Sequence, residues 1–429
     1  MKNIIKTLLV VMALVLVVSA FVGCDLEDPV CTHEGYGVGY RASVIPTCTE
    51  KGLTVGSYCT NCGEDIVPQT ILPEFGHKPS EATCTSAQIC MVCNIELAPA
   101  TGVHTAGEDG VCTGCGAVLV SSAAELQEAL DNAVKGTKIQ LVPNVSYGIV
   151  YLRPSANEGV TKIVDWVGNN YRYETYSLFE NLTIIGAEGA TIDAIEIEGG
   201  TYYNTEHSQF ETYPVMLSLI ELKNVVIDGV TFTGKGGYDP EGHGNVINLS
   251  GNNIKVDGLT LKNCVLNNED NNARLIYKTE STTHVHTYTY GEQTYTFSPT
   301  LKDITVDGCV LNGGYMGLEL REAENVTITN NEFNVANRNI LLPVNTGCTY
   351  TGTITITGNV SNNAAERFVR ADGTGEATLI ITGNTINNYL SGDLDYIKAT
   401  GVTGEYTIEN NTITDGSDAG NREFTVVVQ

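Results

Sequence analysis

The chain has 429 residues, 42% of them hydrophobic and 17% charged, which admits two or three domains and excludes a disordered polyelectrolyte. Its 23 Lys and Arg face 50 Asp and Glu, a formal charge of -27 that repels nucleic acid and anionic lipid headgroups. Its 45 glycines and 21 tyrosines, with few charges, favour short strands and turns over helices.

Lys2 and Lys6 precede an apolar run from Thr7 to Val22. The run is shorter than the ~20 residues of a spanning helix and closes in small residues, as an export signal does. Phe21-Val22-Gly23-Cys24 resembles a bacterial lipobox, with Phe21 where Leu is usual. The resemblance implies a signal peptide over 1–23 and lipidation of Cys24. The mature chain would then be anchored outside the cytoplasm, to a bacterial membrane or cell surface.

Residues 24–118 hold a cysteine and histidine array. Its ligands are Cys31, His33, Cys48, Cys59, Cys62, His77, Cys84, Cys90, Cys93, His104, Cys112 and Cys115. Three Cys-x-x-Cys pairs stand out, and a two-residue gap lets both thiolates of a tight turn point at one ion. Twelve ligands make three sets of four. One partition runs Cys48-Cys59-Cys62-His77, Cys84-Cys90-Cys93-His104 and Cys31-His33-Cys112-Cys115; another shifts the register so that each histidine precedes its cysteines. Disulfides are the rival in an exported chain, but they do not account for a histidine with each cysteine group. The array resembles the zinc-ribbon-like repeats near the anchor of surface proteins from anaerobic gut bacteria, which implies structural zinc.

Residues 119–429 change pattern. Ser122 and Glu125 read as a capping box for a helix to Lys135, with Leu126, Leu130 and Val134 at helical spacing and Gly136 as its stop. Eight related segments follow, from Leu182, Val225, Ile254, Ile304, Val326, Ile354, Leu379 and Tyr406. Such self-similarity marks a solenoid. Alternation turns Val225, Ile227, Val230 and Phe232 inward, and the Asn331, Asn359, Asn384 and Asn411 positions predict an internal amide ladder. Cys264 and Cys309 read as core. These repeats resemble the right-handed parallel β-helix of the pectin-lyase-like superfamily. The fold class expected is therefore all-β: a right-handed parallel β-helix with a capping helix at its start, preceded by metal-stabilised Cys/His repeats. The superfamily is functionally mixed.

The chemistry is less defined. Gly242-His243-Gly244 is also found in polygalacturonases, but their other motifs are missing apart from Tyr396-Ile397-Lys398. One outward row is expected to carry Glu319, Leu341, Arg370 and Lys398, with Arg321 and Asp372 beside it. Glu319, Arg370 and Lys398 are the groups a polysaccharide lyase would use, or else they form a salt-bridged solvent face. Asp228, Asp257 and Asp307, if stacked, would hold Ca²⁺; alternatively each caps its own turn. The segment Thr287–Phe297 reads as a protruding hairpin, with His284 and His286 sharing a face. Trp166, Tyr202 and Tyr203, in tyrosine-rich insertions, offer rings for stacking on sugars, or pack those insertions onto the coil. The function expected is a surface-anchored protein that binds or adheres to extracellular glycans. A polysaccharide lyase or glycoside hydrolase is the alternative, and a structural spacer the third.

Overall fold

A computed structural model describes residues 32–33, 35, 37–153, 163–167, 170–197, 201–203, 215–234, 244–249, 254–270, 272–278, 286–290, 293–297, 300–342, 350–363, 366–387 and 396–414. The signal segment, Cys24, Cys31, His243 and His284 lie outside them. No helix among the described residues is long and apolar enough to cross a membrane. The chain divides into two compact units, Met1–Gly102 and Val103–Gln429.

The first unit is built from short antiparallel strands. Val38–Arg41 pairs with Gly56–Cys59, which pairs with Asp65–Val67; Gly52–Leu53 pairs with Ile71–Leu72, and Gln88–Ile89 with Glu96–Ala98. It has little apolar interior. Pro46, Cys48, Cys59, Cys84 and Cys90 are its buried apolar side chains among the described residues, while Tyr40, Ile45 and Phe75 are 76%, 79% and 60% exposed. A unit that buries mainly sulfur needs another source of cohesion.

The second unit is a right-handed parallel β-helix of three sheets. One coil shows the plan: Leu301–Asp307 lies in the first sheet, Val310–Gly313 in the second and Met316–Leu320 in the third, and Ala323–Thr329 begins the next turn. Side chains alternate along each strand, so Ile304, Val306, Leu311, Leu318 and Leu320 are all buried. A residue in the left-handed region turns each corner from the first sheet to the second. In successive coils these are Gly229, Asn263, Gly308, Asn330, Gly358, Gly383 and Asn410, at φ between 53° and 69°. Glycine and asparagine tolerate that conformation, which is why they mark the repeat.

The next residue faces inward, and there the asparagine ladder forms as expected. Asn359 Nδ2 donates to Ile328 O and Asn384 Oδ1, both at 2.9 Å, and Asn359 Oδ1 accepts from Asn331 N at 3.0 Å. Asn331, Asn384 and Asn411 repeat the pattern. Cys264 and Cys309 continue the row: the Cys309 sulfur accepts from Cys264 N, and Cys264 Sγ donates to Ile227 O, both at 3.4 Å. A second ladder runs outside, through Asn267, Asn312, Asn334, Asn362 and Asn387, with amide bonds of 2.8–2.9 Å. The sequence analysis missed it, although an Asn three places after each inward residue was its signal.

Two expectations need correction. The helix is Ala123–Asp131, a turn shorter than expected. Ser122 Oγ accepts from Glu125 N at 3.2 Å, and Leu126 and Leu130 are buried under it. Asn132 caps the C-terminus through Glu128 O, so Val134 falls beyond the helix and is exposed. The Ile254 segment was also aligned five residues early. Val225 pairs with Leu259, and Leu259 with Ile304, while Ile254 pairs with Ile220 in a forward extension of the same strand. Asp257-Gly258 imitates the corner motif of Asp228-Gly229, but the corner itself falls at Asn263.

Candidate metal centres and outer faces

The three Cys-x-x-Cys turns are superimposable in their hydrogen bonding. Cys59 N donates to Glu64 O, Cys90 N to Ile95 O and Cys112 N to Ala117 O, at 2.8–2.9 Å. The residue after each second cysteine (Gly63, Asn94 or Gly116) has positive φ, and its N–H returns to the first cysteine's carbonyl at 2.8 Å. This turn leaves backbone N–H groups aimed at the first sulfur. Cys62 and Asn61 N–H, with the His33 side chain, bring the Cys59 thiol down to about 6. At Cys90 burial opposes ionisation, but N–H groups of Cys93 and Val92 and the His77 ring outweigh it and hold the thiol at about 5. Cys112 behaves alike, with burial outweighed by Gly114 and Cys115 N–H, at about 6. Cys48 goes the other way, to about 11, through burial and the neighbouring Cys90 and Cys93. A cation beside these sulfurs would reverse that repulsion.

The sequence left two partitions open, and the structure takes the one in which each histidine precedes its cysteines. Cys48, His77, Cys90 and Cys93 place one ligand atom each within 4.8 Å of one another, and so do His33, Cys59 and Cys62. The second unit brings together His104, Cys112 and Cys115, with His104 Nδ1 3.4 Å from Cys115 Sγ. In sequence, Cys84 stands ahead of His104 as Cys48 stands ahead of His77. Thr47 and Thr83 fold the two cysteines into the same turn, each hydroxyl accepting from the N–H three residues on, at 3.0 and 2.9 Å.

The distances fit an ion and not a disulfide. Tetrahedral zinc, with bonds of about 2.3 Å to sulfur and about 2.05 Å to nitrogen, sets S···S edges near 3.8 Å and S···N edges near 3.5 Å. Cys48 Sγ and Cys90 Sγ are 3.7 Å apart, and His77 Nδ1 lies 3.4 Å from Cys93 Sγ. His33 Nδ1 is 3.9 Å from Cys62 Sγ, and its other nitrogen is 3.5 Å from Glu64 Oε2. A carboxylate on the far side of a ligating ring orients it. A disulfide needs about 2.05 Å between sulfurs, and no disulfide joins the cysteines among the described residues.

On the third sheet the row Glu319, Leu341, Arg370 and Lys398 stacks in the register expected. The row brings no acid to a base. At ~4.8 Å per coil, Glu319 is two coils from Arg370 and three from Lys398, roughly 10 and 14 Å along the sheet. Leu341 intervenes. Glu319, nearly buried, is paired with Arg274 at 3.0 Å, and Arg370 with Asp372 at 2.5 Å.

The aspartates do not stack as a calcium ladder. Asp228 and Asp307 flank Lys262 in the register, and Asp257 lies between Lys223 and Lys302. Lys262 Nζ sits 3.0 Å from Asp228 Oδ2. Asp307 Oδ1 accepts from Thr329 Oγ1 at 2.6 Å and Asn330 Nδ2 at 2.9 Å. Carboxylates alternating with ammonium groups need no divalent ion, and the five-residue misalignment explains the error.

Two insertions extend the first sheet. Ile163–Val167 pairs antiparallel with Asn170–Glu180, which runs parallel to Val215–Asp228; Thr201–Tyr203 pairs with the same long strand. Trp166 stands opposite Tyr171, and Tyr173 and Tyr202 both register with Met216. Further along the Asn170–Glu180 strand, Ser177 and Phe179 are buried. The expected hairpin also forms, His286–Tyr290 against Gln293–Phe297.

The sequence matches no protein-family model, and no curated protein matches it. Among solved structures it is similar to a GH136 lacto-N-biosidase from Eubacterium ramulus, at 12% identity and a TM-score of 0.21, over 70% of this chain. The match spans 60% of that protein. A likeness so slight bears on neither fold nor activity.

Proposed function

We propose that this is a lipid-anchored extracytoplasmic protein in which zinc-clasped Cys/His repeats carry a β-helix that binds neutral glycan chains. The observation that carries the reading is the ligand geometry: sulfur and imidazole nitrogen at the edges of a zinc tetrahedron, in a unit with almost no apolar interior. The donor set of soft thiolates with one imidazole suits zinc, and Cys48 fills the fourth position of its site, leaving none for a reacting water. The metal is therefore structural. It supplies the cohesion that a larger core would otherwise provide.

The glycan half of the proposal rests on the solenoid's surface. Its outer asparagine row offers amides, and the first-sheet extension that carries Trp166, Tyr202 and Tyr203 is rich in aromatic rings, the groups that hold sugars. The overall charge of -27 opposes a polyanionic polymer and leaves neutral chains unhindered. Against turnover stand the paired states of Glu319 and Arg370 and their separation. The test is a screen of the intact protein against neutral and uronate-containing glycans, with a product assay on every hit. Binding of neutral glycans without cleavage supports the proposal; cleavage of a uronate polymer that is lost in a Glu319→Gln, Arg370→Ala, Lys398→Ala variant replaces it with a lyase.

A further inference from the structure

The ligand sets of the first unit are interleaved along the chain. His33 is joined to Cys59 and Cys62, and Cys48 to His77, Cys90 and Cys93. Cys48 thus lies within the span that the first set closes, and Cys59 and Cys62 lie within the span that the second closes. Every backbone segment from 33 to 93 is bridged by at least one set, and the stretch 48–62 by both.

We infer that the interleaved sites make residues 33–93 a tether of limited extension between the anchor and the solenoid, one that only metal loss or ligand rupture can lengthen further. This deepens the zinc reading and rests on it. Tension entering at His33 passes through the first ion to Cys59 and Cys62. From there two backbone routes lead to the second ion, back along 59–48 and forward along 62–77, beside the direct route 33–48, and the shortest of the three limits the extension. That route has about 11 residues and spans at most ~40 Å when drawn straight. With both clasps closed, residues 33 and 93 can be separated by only about 50 Å, counting clusters no wider than 4.8 Å. Without them, about 60 residues extend to roughly 200 Å.

Each knuckle is braced against such a pull. The first cysteine's N–H and carbonyl are both held by backbone bonds of 2.8–2.9 Å within the turn. The Cys48 turn is tied to the second set's other arm, because Phe75 N donates to Thr47 O at 3.0 Å, two residues before His77. Strand pairing adds a second restraint at the first site, where Val38 registers with Cys59.

The experiment is force spectroscopy of the full chain held at its two ends, in zinc and in chelator, with the bound metal counted on the same samples by native mass spectrometry. The expected result is a contour length about 150 Å shorter in zinc, recovered in discrete ruptures, and a freely extending array in chelator. Cys48→Ser should leave the 15-residue 62–77 route as the limit in place of the 11-residue one and add about 15 Å of slack while the His33 set still holds its ion. Equal contour lengths in zinc and chelator, with metal shown to be bound, would overturn the tether. So would a Cys48→Ser chain of unchanged length. A chain that binds no metal at all would instead overturn the zinc reading beneath it.

Discussion

Replacing Asn359 by alanine removes four hydrogen bonds from a fully buried position. Its Nδ2 donates to Ile328 O and Asn384 Oδ1, and its Oδ1 accepts from Asn331 N and Asn331 Nδ2, all at 2.9–3.0 Å. In the variant Asn331 N–H keeps no partner and no water reaches it. That group alone costs about 1–3 kcal/mol, and the other lost bonds bring the sum to about 4 kcal/mol. Asn334→Ala removes amide bonds of the same length from the outer ladder, but its neighbours are half-exposed and water replaces the lost partner, for about 0.5–1 kcal/mol. The assay is urea unfolding of the intact protein followed by circular dichroism, comparing the midpoint of the solenoid transition in the two variants. A clear drop for Asn359→Ala beside a small one for Asn334→Ala is expected. Equal losses would refute the claim that burial, rather than hydrogen-bond number, sets the value of each ladder.

The metal should leave the array on acidification: thiolates depressed to about 5–6 at Cys59, Cys90 and Cys112 persist above that range and are protonated as pH falls through it, so zinc retention measured by equilibrium dialysis should fall between about pH 6 and 5. The same sign holds for folding, since thiolate stabilisation is present above the unfolded thiol's ordinary range and is lost as pH falls through these depressed values. Lys262→Met should leave Asp228 and Asp307, one coil away on either side, without the cation between them and lower stability by up to about 1 kcal/mol, and thermal melting should show it. Alanine at Trp166, Tyr202 and Tyr203 should together weaken glycan binding about tenfold or more in calorimetry. Cys24→Ser should release the protein from membranes or leave it unprocessed, as cell fractionation would reveal.

The solenoid was legible because its repeat states its own geometry. Inward aliphatics at alternate positions and an Asn or Gly at each corner leave one way to stack, and the ladder of Asn331, Asn359, Asn384 and Asn411 was readable directly. Coil register was harder. Gly258 follows an aspartate as Gly229 and Gly308 do, so the motif matched at the wrong place, and only pairing between strands shows that Asn263 is the corner. That the cysteines and histidines of the array gather in clusters was legible, yet the partition was not, because spacing limits which thiols share a turn without saying which distant histidine joins them. The outward row of Glu319, Arg370 and Lys398 was correctly aligned, and Asp372, two residues after Arg370 on the same strand, was legible beside it, but the Arg274 partner of Glu319 lies in the preceding coil, which carries no matching motif.

The most direct measurement on the zinc-clasped array is a joint count of metal and thiols on the purified protein, by elemental analysis and by alkylation after denaturation in chelator. Three zinc ions per chain with the array's cysteines all alkylated as free thiols is the result the ligand geometry predicts. No zinc, together with array cysteines that resist alkylation until a reductant is added, would contradict it and make the repeats a disulfide framework.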